Sequence, residues 1–232
     1  MNLTELIRNK RFAPGPGVTE PPPDRGAKLF LFVLQTHFWE LITLNLLFLA
    51  FCVPIATIPA ALCAMNRVLL NLILKGNAFL WSDFFAEFKG SLIKSLPFGI
   101  VAAFLFMDAA YALSLSFAEN GASIPELALA LFLFGLAAVF SGYAFVFIPA
   151  LPLKNRHIAK NAFIFMLTEW KASLVIVAIT VIMAIILLTI AAYSIMIALV
   201  PLVFIYFSFG QLVICTAVSQ PMKYRILGPP KQ

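Results

Sequence analysis

Three ionisable side chains lie inside long apolar runs, where a charge is costly and therefore informative. Asp108 follows Pro97 by eleven residues, about 16 Å along a helix, which would put it near the middle of a hydrocarbon core about 30 Å thick. Arg67 and Glu40 lie roughly two turns and one turn inside neighbouring apolar segments. A charge at bilayer depth costs at least about 2.5–3.5 kcal/mol. We therefore expect Arg67 to form a buried ion pair, with Asp108 as its first partner and Glu40 as its second.

Two other interpretations of Asp108 are open. A protonated Asp108 would donate a hydrogen bond to Asn66, Asn71 or a hydroxyl group and would only tie helices together. A charged Asp108 would line a path with Arg67, and the protein would then be a small transporter or channel. Asn45, Asn66 and Asn71 are predicted to form interhelical hydrogen bonds, each contributing on the order of 0.6 kcal/mol.

No set of residues has the types and spacing of a catalytic or metal site. The histidines, His37 and His157, have no second histidine or cysteine at ligand spacing, and the sequence contains no H-E-x-x-H, G-x-S-x-G or P-loop motif. The three cysteines lie inside apolar runs, where thiols behave as small hydrophobic side chains. The sequence therefore predicts that the protein is not an enzyme and binds no metal or cofactor.

The composition is that of a membrane protein. The 232 residues are 62% hydrophobic and 11% charged, and the mean hydropathy is +1.00. Soluble domains average roughly 45–50% apolar and about 25% charged residues, and a fold of this size still exposes much of its surface. The net charge of +6 would suggest nucleic acid as a partner of a soluble protein. Here the expected partner is the lipid bilayer, not nucleic acid, because membrane proteins concentrate basic residues on the cytoplasmic side.

The apolar runs predict an all-α integral membrane protein with six transmembrane helices in three hairpins. Pro54 and Pro59 bracket the first turn, and Ser123 is the predicted N-cap after the second turn, with Glu126 three residues on. Residues 173–218 contain no charged side chain and would be about 69 Å long as one helix, so they must fold back once. Pro201 is the predicted start of the returning helix. The predicted spans cover about 27–53, 58–74, 97–117, 124–147, 173–197 and 201–218.

Two further helices are predicted to be amphipathic and to lie in the cytoplasmic interface. The first covers residues 81–95, and Pro97 is expected to separate it from the next span. Its polar face carries Asp83, Glu87, Ser91 and Lys94. The second covers residues 154–171. Both helices are candidate docking surfaces, and the docking candidates are Trp81, Phe84, Phe85, Phe88 and Phe165.

All lysines and arginines lie on one side of this six-span arrangement. The turns near 54–58, 118–126 and 197–201 contain none of them. By the positive-inside rule, both termini are expected in the cytoplasm. The predicted organisation is a flexible Pro/Gly-rich arm at 1–26, a helical membrane domain at 27–220 and a short basic tail at 221–232.

Several short motifs occur in the order and spacing of a known family. They are LNLLFL at 44–49, VPI at 53–55, IPA at 58–60, DFFAEFK at 83–89 and KNAF at 160–163. Over roughly residues 36–218 the sequence resembles the YesL-like proteins. That family often has a glycine where this sequence has Pro59, so the first turn departs from its pattern.

The resemblance implies a multi-pass protein of the bacterial cytoplasmic (plasma) membrane whose biochemical function is undetermined. Members of that family tend to be encoded beside carbohydrate ABC importers and two-component sensors. The resemblance therefore implies a non-catalytic accessory subunit of carbohydrate uptake or its sensing, with sugar ABC importer subunits or a sensor kinase as partners. The alternative remains a small transporter or channel that uses Asp108 and Arg67.

Overall fold

The computed structural model describes residues 26–118 and 124–222, which are helical with no β-strand among them. The α-helices are α1 Gly26–Thr36, α2 Phe38–Phe51, α3 Ile58–Lys75, α4 Leu80–Ala118, α5 Ile124–Ala150, α6 Asn155–Thr168, α7 Trp170–Tyr193, α8 Ile195–Pro201 and α9 Phe207–Met222. A 3₁₀ turn, Ile55–Thr57, precedes α3, and a π-helical turn, Leu202–Tyr206, joins α8 to α9. The predicted arm apart from Gly26, the N-cap at Ser123 and the tail beyond Met222 lie outside the described residues.

Five helical segments are long and apolar enough to cross a membrane, and a sixth is added if α1 and α2 count as one bent span. The five are Ile55–Lys75, α4, α5, α7 and the continuous segment Ile195–Met222. This confirms, for the described residues, the prediction of a helical protein with several helices long and apolar enough to cross a membrane.

The first predicted span is not one continuous helix. The chain bends by 82° between α1 and α2, because the backbone of His37 leaves the helical region, with φ −114° and ψ 27°. The 14 residues of α2 extend only about 21 Å, less than the hydrocarbon thickness of about 30 Å.

Helices α3 and α5 form the centre of the bundle. Of the residues in the apolar stretch of each span, 67% are buried in the span containing α3 and 56% in α5, whereas only 6% are buried in α7. On α3, small buried side chains at Ala60, Ala61 and Ala64 permit close approach of neighbouring helices. The outer helices, α7 above all, leave their apolar side chains on the surface, as expected of helices that contact lipid.

Helix α4 runs unbroken through Pro97 for 39 residues, about 58 Å, so the predicted boundary at Pro97 is wrong. The ring of Pro97 lies on the exposed side of the helix. One buried stripe at helical spacing continues past it on the opposite side. The stripe consists of Phe84, Phe88, Ser91, Ser95, Phe98, Ala102, Ala109, Ala112 and Ser116. Packing along this stripe holds the predicted amphipathic segment and the predicted span together as one helix.

The predicted turn at 197–201 is also displaced. The chain reverses at Ser194, whose backbone is extended (φ −163°, ψ 124°), and α8 begins directly after it. Pro201 lies inside the returning segment. Proline removes one backbone donor and clashes with the preceding turn, and here the chain accommodates it by continuing as the π-helical turn.

Helix α6 covers most of the second predicted amphipathic segment. The buried side chains on one face of this helix are Ile158, Ala162 and Phe165. They pack into the core of the bundle, so this face contacts protein and not lipid.

Candidate functional site

Asn45 on α2 is fully buried and holds the π-helical turn. Its Nδ2 donates to the carbonyl oxygens of Leu202 and Val203 at 3.0 and 2.6 Å. Its Oδ1 accepts from the backbone N–H groups of Phe207 and Ser208 at 2.9 and 3.0 Å. A π-helical turn interrupts the regular i to i+4 hydrogen bonds, and this one side chain supplies partners on both sides of the interruption.

Asn66 joins three helices near the centre of the bundle. Its Nδ2 donates to the carbonyl oxygen of Phe145 on α5 at 3.1 Å. Its Oδ1 accepts from the Cys215 thiol on α9, with a sulfur–oxygen distance of 3.4 Å. Cys215 is therefore a buried hydrogen-bond donor as well as an apolar side chain.

Asn71 connects α3 to the start of α4. Its Nδ2 donates to Asp83 Oδ2 at 2.8 Å, and the backbone N–H of Phe79 donates to the same oxygen at 3.1 Å. The Asp83 carboxylate thus receives two hydrogen bonds at the N-terminus of α4, where the helix dipole favours a negative charge.

Arg67 does not form the predicted ion pair. Its Nη1 donates to the carbonyl oxygen of Pro149 at 2.8 Å. This carbonyl belongs to the last turn of α5, whose final four carbonyl groups have no partner within the helix. The end of α5 therefore supplies Arg67 with an acceptor that sequence spacing does not reveal.

The two predicted partners of Arg67 are placed differently. Glu40 lies beside His37, with Oε2 2.8 Å from Nδ1. The contact is local because the two residues are three positions apart at the bend between α1 and α2. Asp108 is half-buried in the C-terminal half of α4, and within the described ranges it forms neither an ion pair nor a hydrogen bond to Asn66 or Asn71.

Arg67 borders a cavity of about 460 Å³ between α3, the first half of α4 and the end of α5. We call it the basic cavity. Its lining residues are Arg67, Glu87, Gly90, Ser91, Lys94, Ile148, Pro149, Ala150, Leu151 and Pro152. Asp108 is not among them.

The charged side chains of the basic cavity form no ion pair with one another. The Ser91 hydroxyl donates to Glu87 Oε1, and no ion pair within 4.0 Å joins Glu87 to Arg67 or Lys94. The formal sum of the two cations and one carboxylate is +1. Arg67 keeps further guanidinium N–H donors, and Lys94 keeps all three of its ammonium donors. The cavity can therefore bind a negatively charged group.

Side chains able to ligate a metal ion are not grouped together in the described part of the chain. Residues 26–118 and 124–222 contain no cluster of three or more histidine, cysteine, aspartate or glutamate side chains able to hold a metal ion. The basic cavity contains one carboxylate, so it lacks the paired carboxylates of acid–base hydrolysis.

Most of the predicted docking residues are buried. Phe84 and Phe88 are on the buried stripe of α4, and Phe165 faces the core, so their assignment to a docking surface is wrong. Phe85 is half-buried, with its ring centroid 5.4 Å from that of Phe51. Trp81 remains 59% exposed. Of the four candidates at the start of α4, only Trp81 is exposed, and the other three face other helices.

Glu87, Ser91 and Lys94 were missed as site residues. Their spacing correctly predicts one shared helix face, but a polar face at a membrane interface is expected to face water. Here the face points toward Arg67 and the end of α5, and Ser91 is only 1% exposed. The unusual signal in the sequence is that Arg67 lies in an apolar helix shortly before this polar face.

Comparison with known proteins gives one match. No curated protein and no solved structure matches the chain. The match is to a family model, and the region it covers contains most of α2, all of α3 and most of α4. This is less than a third of the chain, and it includes Arg67, Glu87 and Lys94. The matched family is consistent with the resemblance to YesL-like proteins. Residues 41–111 match the family described as protein of unknown function, DUF624.

Proposed function

We propose that this protein is a non-catalytic, multi-pass accessory subunit of the bacterial cytoplasmic membrane that serves a carbohydrate ABC importer or the sensor kinase beside it. The resemblance to YesL-like proteins supplies the class of partner. The structural observation that supports a docking role is the outer face of α6.

Helix α6 has an exposed stripe at helical spacing, which we call the α6 stripe. It consists of Arg156, Lys160, Phe163 and Leu167. Phe163 is 55% exposed and Leu167 66% exposed, although the opposite face of the helix is fully packed. Basic and large apolar side chains on one rigid face suit a partner that offers both acidic and apolar side chains.

The proposed topology has six crossings with both termini in the cytoplasm. In this arrangement each lysine and arginine within the described ranges would lie in the cytoplasmic half of its helix or in a cytoplasmic connection, in agreement with the positive-inside rule. Trp39, Trp81 and Trp170 are all exposed and lie close to those same connections, as tryptophans at a membrane–water interface do. The α6 stripe would then face the cytoplasmic interface.

Photocrosslinking in cells tests the docking role. A photoreactive amino acid at Phe163 or Leu167 should give a discrete adduct whose second component is identified by mass spectrometry as an importer permease or a sensor kinase. Leu188 on α7, which is 70% exposed and lies in an apolar surface, is the matched control and should give no such adduct.

A charge reversal adds a second measurement. Lys160→Glu should reduce the adduct formed at Leu167, and Lys75→Glu, at an exposed position at the end of α3, should leave it unchanged. Adducts with lipid alone, or equal protein adducts from Leu188, would contradict docking through α6 and would leave this helix as an interfacial element.

A further inference from the structure

We propose that the basic cavity binds a phosphoryl group, with Arg67 and Lys94 as its ligands. The group can come from a lipid headgroup or from a soluble phosphate ester. Both present the same anionic oxygens to the protein.

The first support is the number of unused donors. One guanidinium nitrogen of Arg67 donates to the Pro149 carbonyl at 2.8 Å, and the other N–H groups of this cavity-lining side chain have no hydrogen-bond partner among the described residues. The Lys94 ammonium has no ion-pair partner among the described residues. Arginine binds phosphate oxygens bidentately and lysine binds them as a point charge, so the two side chains supply complementary contacts.

The second support is how the single carboxylate is held. Glu87 accepts a hydrogen bond from Ser91 on the same helix and forms an ion pair with neither Arg67 nor Lys94. It remains able to accept a hydroxyl or ammonium group of the same ligand, while the cavity keeps its excess positive charge. The volume of about 460 Å³ lies in the usual range for small-molecule sites.

Gly90 provides a way to block the cavity without touching its charges. It lines the cavity, and a Cβ added there would have no heavy atom of its surroundings within 4 Å. Gly90→Leu should therefore fold normally and fill part of the binding space. Lys89→Gln is the matched control, because Lys89 is an exposed cation on the same helix that does not line the cavity.

The experiment uses the full-length protein, delipidated in a maltoside detergent. One arm adds phosphatidylglycerol and counts retained lipid by native mass spectrometry. The other arm adds inorganic phosphate and follows the shift in thermal unfolding temperature. Arg67→Gln, Lys94→Gln and Gly90→Leu should each weaken binding about tenfold or more, because each removes a charge-assisted contact or the space for the ligand. Lys89→Gln should bind like the unaltered protein.

The sign of one further variant separates binding from a structural role. Glu87→Gln removes the negative charge and should tighten phosphate binding, whereas a variant that merely loosened the fold would weaken it. Lys94 makes no side-chain hydrogen bond among the described residues, so Lys94→Gln remains informative even if Arg67→Gln fails to fold.

The two arms identify the source of the phosphoryl group. Variant-sensitive binding in the lipid arm assigns the site to a phospholipid headgroup, and variant-sensitive binding in the phosphate arm alone assigns it to a soluble phosphate compound. No binding in either arm, or binding that Lys94→Gln and Gly90→Leu leave unchanged in both, would overturn the assignment.

Discussion

Gly99 on α4 lies directly against Pro59 on α3. A Cβ added at Gly99 would be 2.9 Å from Pro59 Cβ and closer still to Pro59 Cγ. Real Cβ atoms do not approach that closely, so the two helices are matched at this point. Pro59 also occupies a position at which the YesL-like proteins often have glycine, and a glycine at either position would relieve the crowding.

We expect Gly99→Ala to lower the free energy of unfolding by about 1–3 kcal/mol, the usual cost of overpacking. Thermal unfolding of the detergent-solubilised protein measures it. Gly90→Ala is the control on the same helix, and it should be neutral or stabilise by up to about 1 kcal/mol, because alanine is the better helix former. The double variant Pro59→Gly with Gly99→Ala should recover part of the loss, and equal losses in the single and double variants would show that Pro59 is not the obstacle.

At the residue scale, the sequence identifies which polar side chains matter better than it identifies their partners. Asn45, Asn66 and Arg67 stand out as polar groups in apolar runs, and all three form hydrogen bonds between helices. Their partners include backbone carbonyls at a π-helical turn, inside α5 and at its end. Carbonyls carry no residue-specific signal, so the sequence predicts side-chain partners for Arg67, namely Asp108 and Glu40, instead.

At the element scale, the π-helical turn between α8 and α9 depends on Asn45. We expect Asn45→Leu to destabilise the protein, because each buried donor or acceptor left without a partner costs about 1–3 kcal/mol. Amide hydrogen exchange over residues 202–208, together with the unfolding temperature, measures the loss and its location.

The matched control is Asn155→Leu. Asn155 makes one hydrogen bond, from Nδ2 to the carbonyl oxygen of Lys94 at 3.2 Å, against the four bonds of Asn45. Its replacement should cost less and should leave exchange at 202–208 unchanged. If Asn45→Leu and Asn155→Leu lower the free energy of unfolding equally, and neither raises amide exchange specifically at residues 202–208, then Asn45 does not hold the turn.

The apolar runs correctly predict where helices occur, but two helix boundaries that were predicted at prolines are wrong. Pro97 and Pro201 lie inside continuous helical segments. The interruption between two helices lies instead at Ser194, a residue type that does not predict a helix end. In an apolar environment each free backbone group is costly, so a helix continues through proline where neighbouring groups can compensate. Packing along the buried stripe holds α4 together across Pro97, and the hydrogen bonds of Asn45 supply partners at the π-helical turn that follows Pro201. Both arise from tertiary packing.

At the scale of the whole molecule, α2 decides the topology. Five longer segments qualify as spans by length and composition, and α2 adds the sixth only in combination with α1, across the 82° bend. If α2 crosses, Lys28 on α1 and Val53 after α2 lie on opposite sides of the membrane. If it does not cross, they lie on the same side and one basic terminus faces outward, against the positive-inside rule.

We therefore expect single cysteines at Lys28, Lys75 and Lys160 to react with an impermeant maleimide only after the membrane is permeabilised, and a cysteine at Val53 to react in intact cells. Cys52, Cys63 and Cys215 are replaced first, and all four test positions are exposed in the structure. Lys75 and Lys160 act as internal controls, because both the six-crossing arrangement and a five-crossing one that keeps these two lysines inside give the same labelling there. Of the four positions, only Lys28 is expected to be labelled differently in the six-crossing and five-crossing arrangements. Labelling of positions 28 and 53 from the same side would show that α2 enters the membrane without crossing it, and the charge of Lys28 would then lie outside the cell.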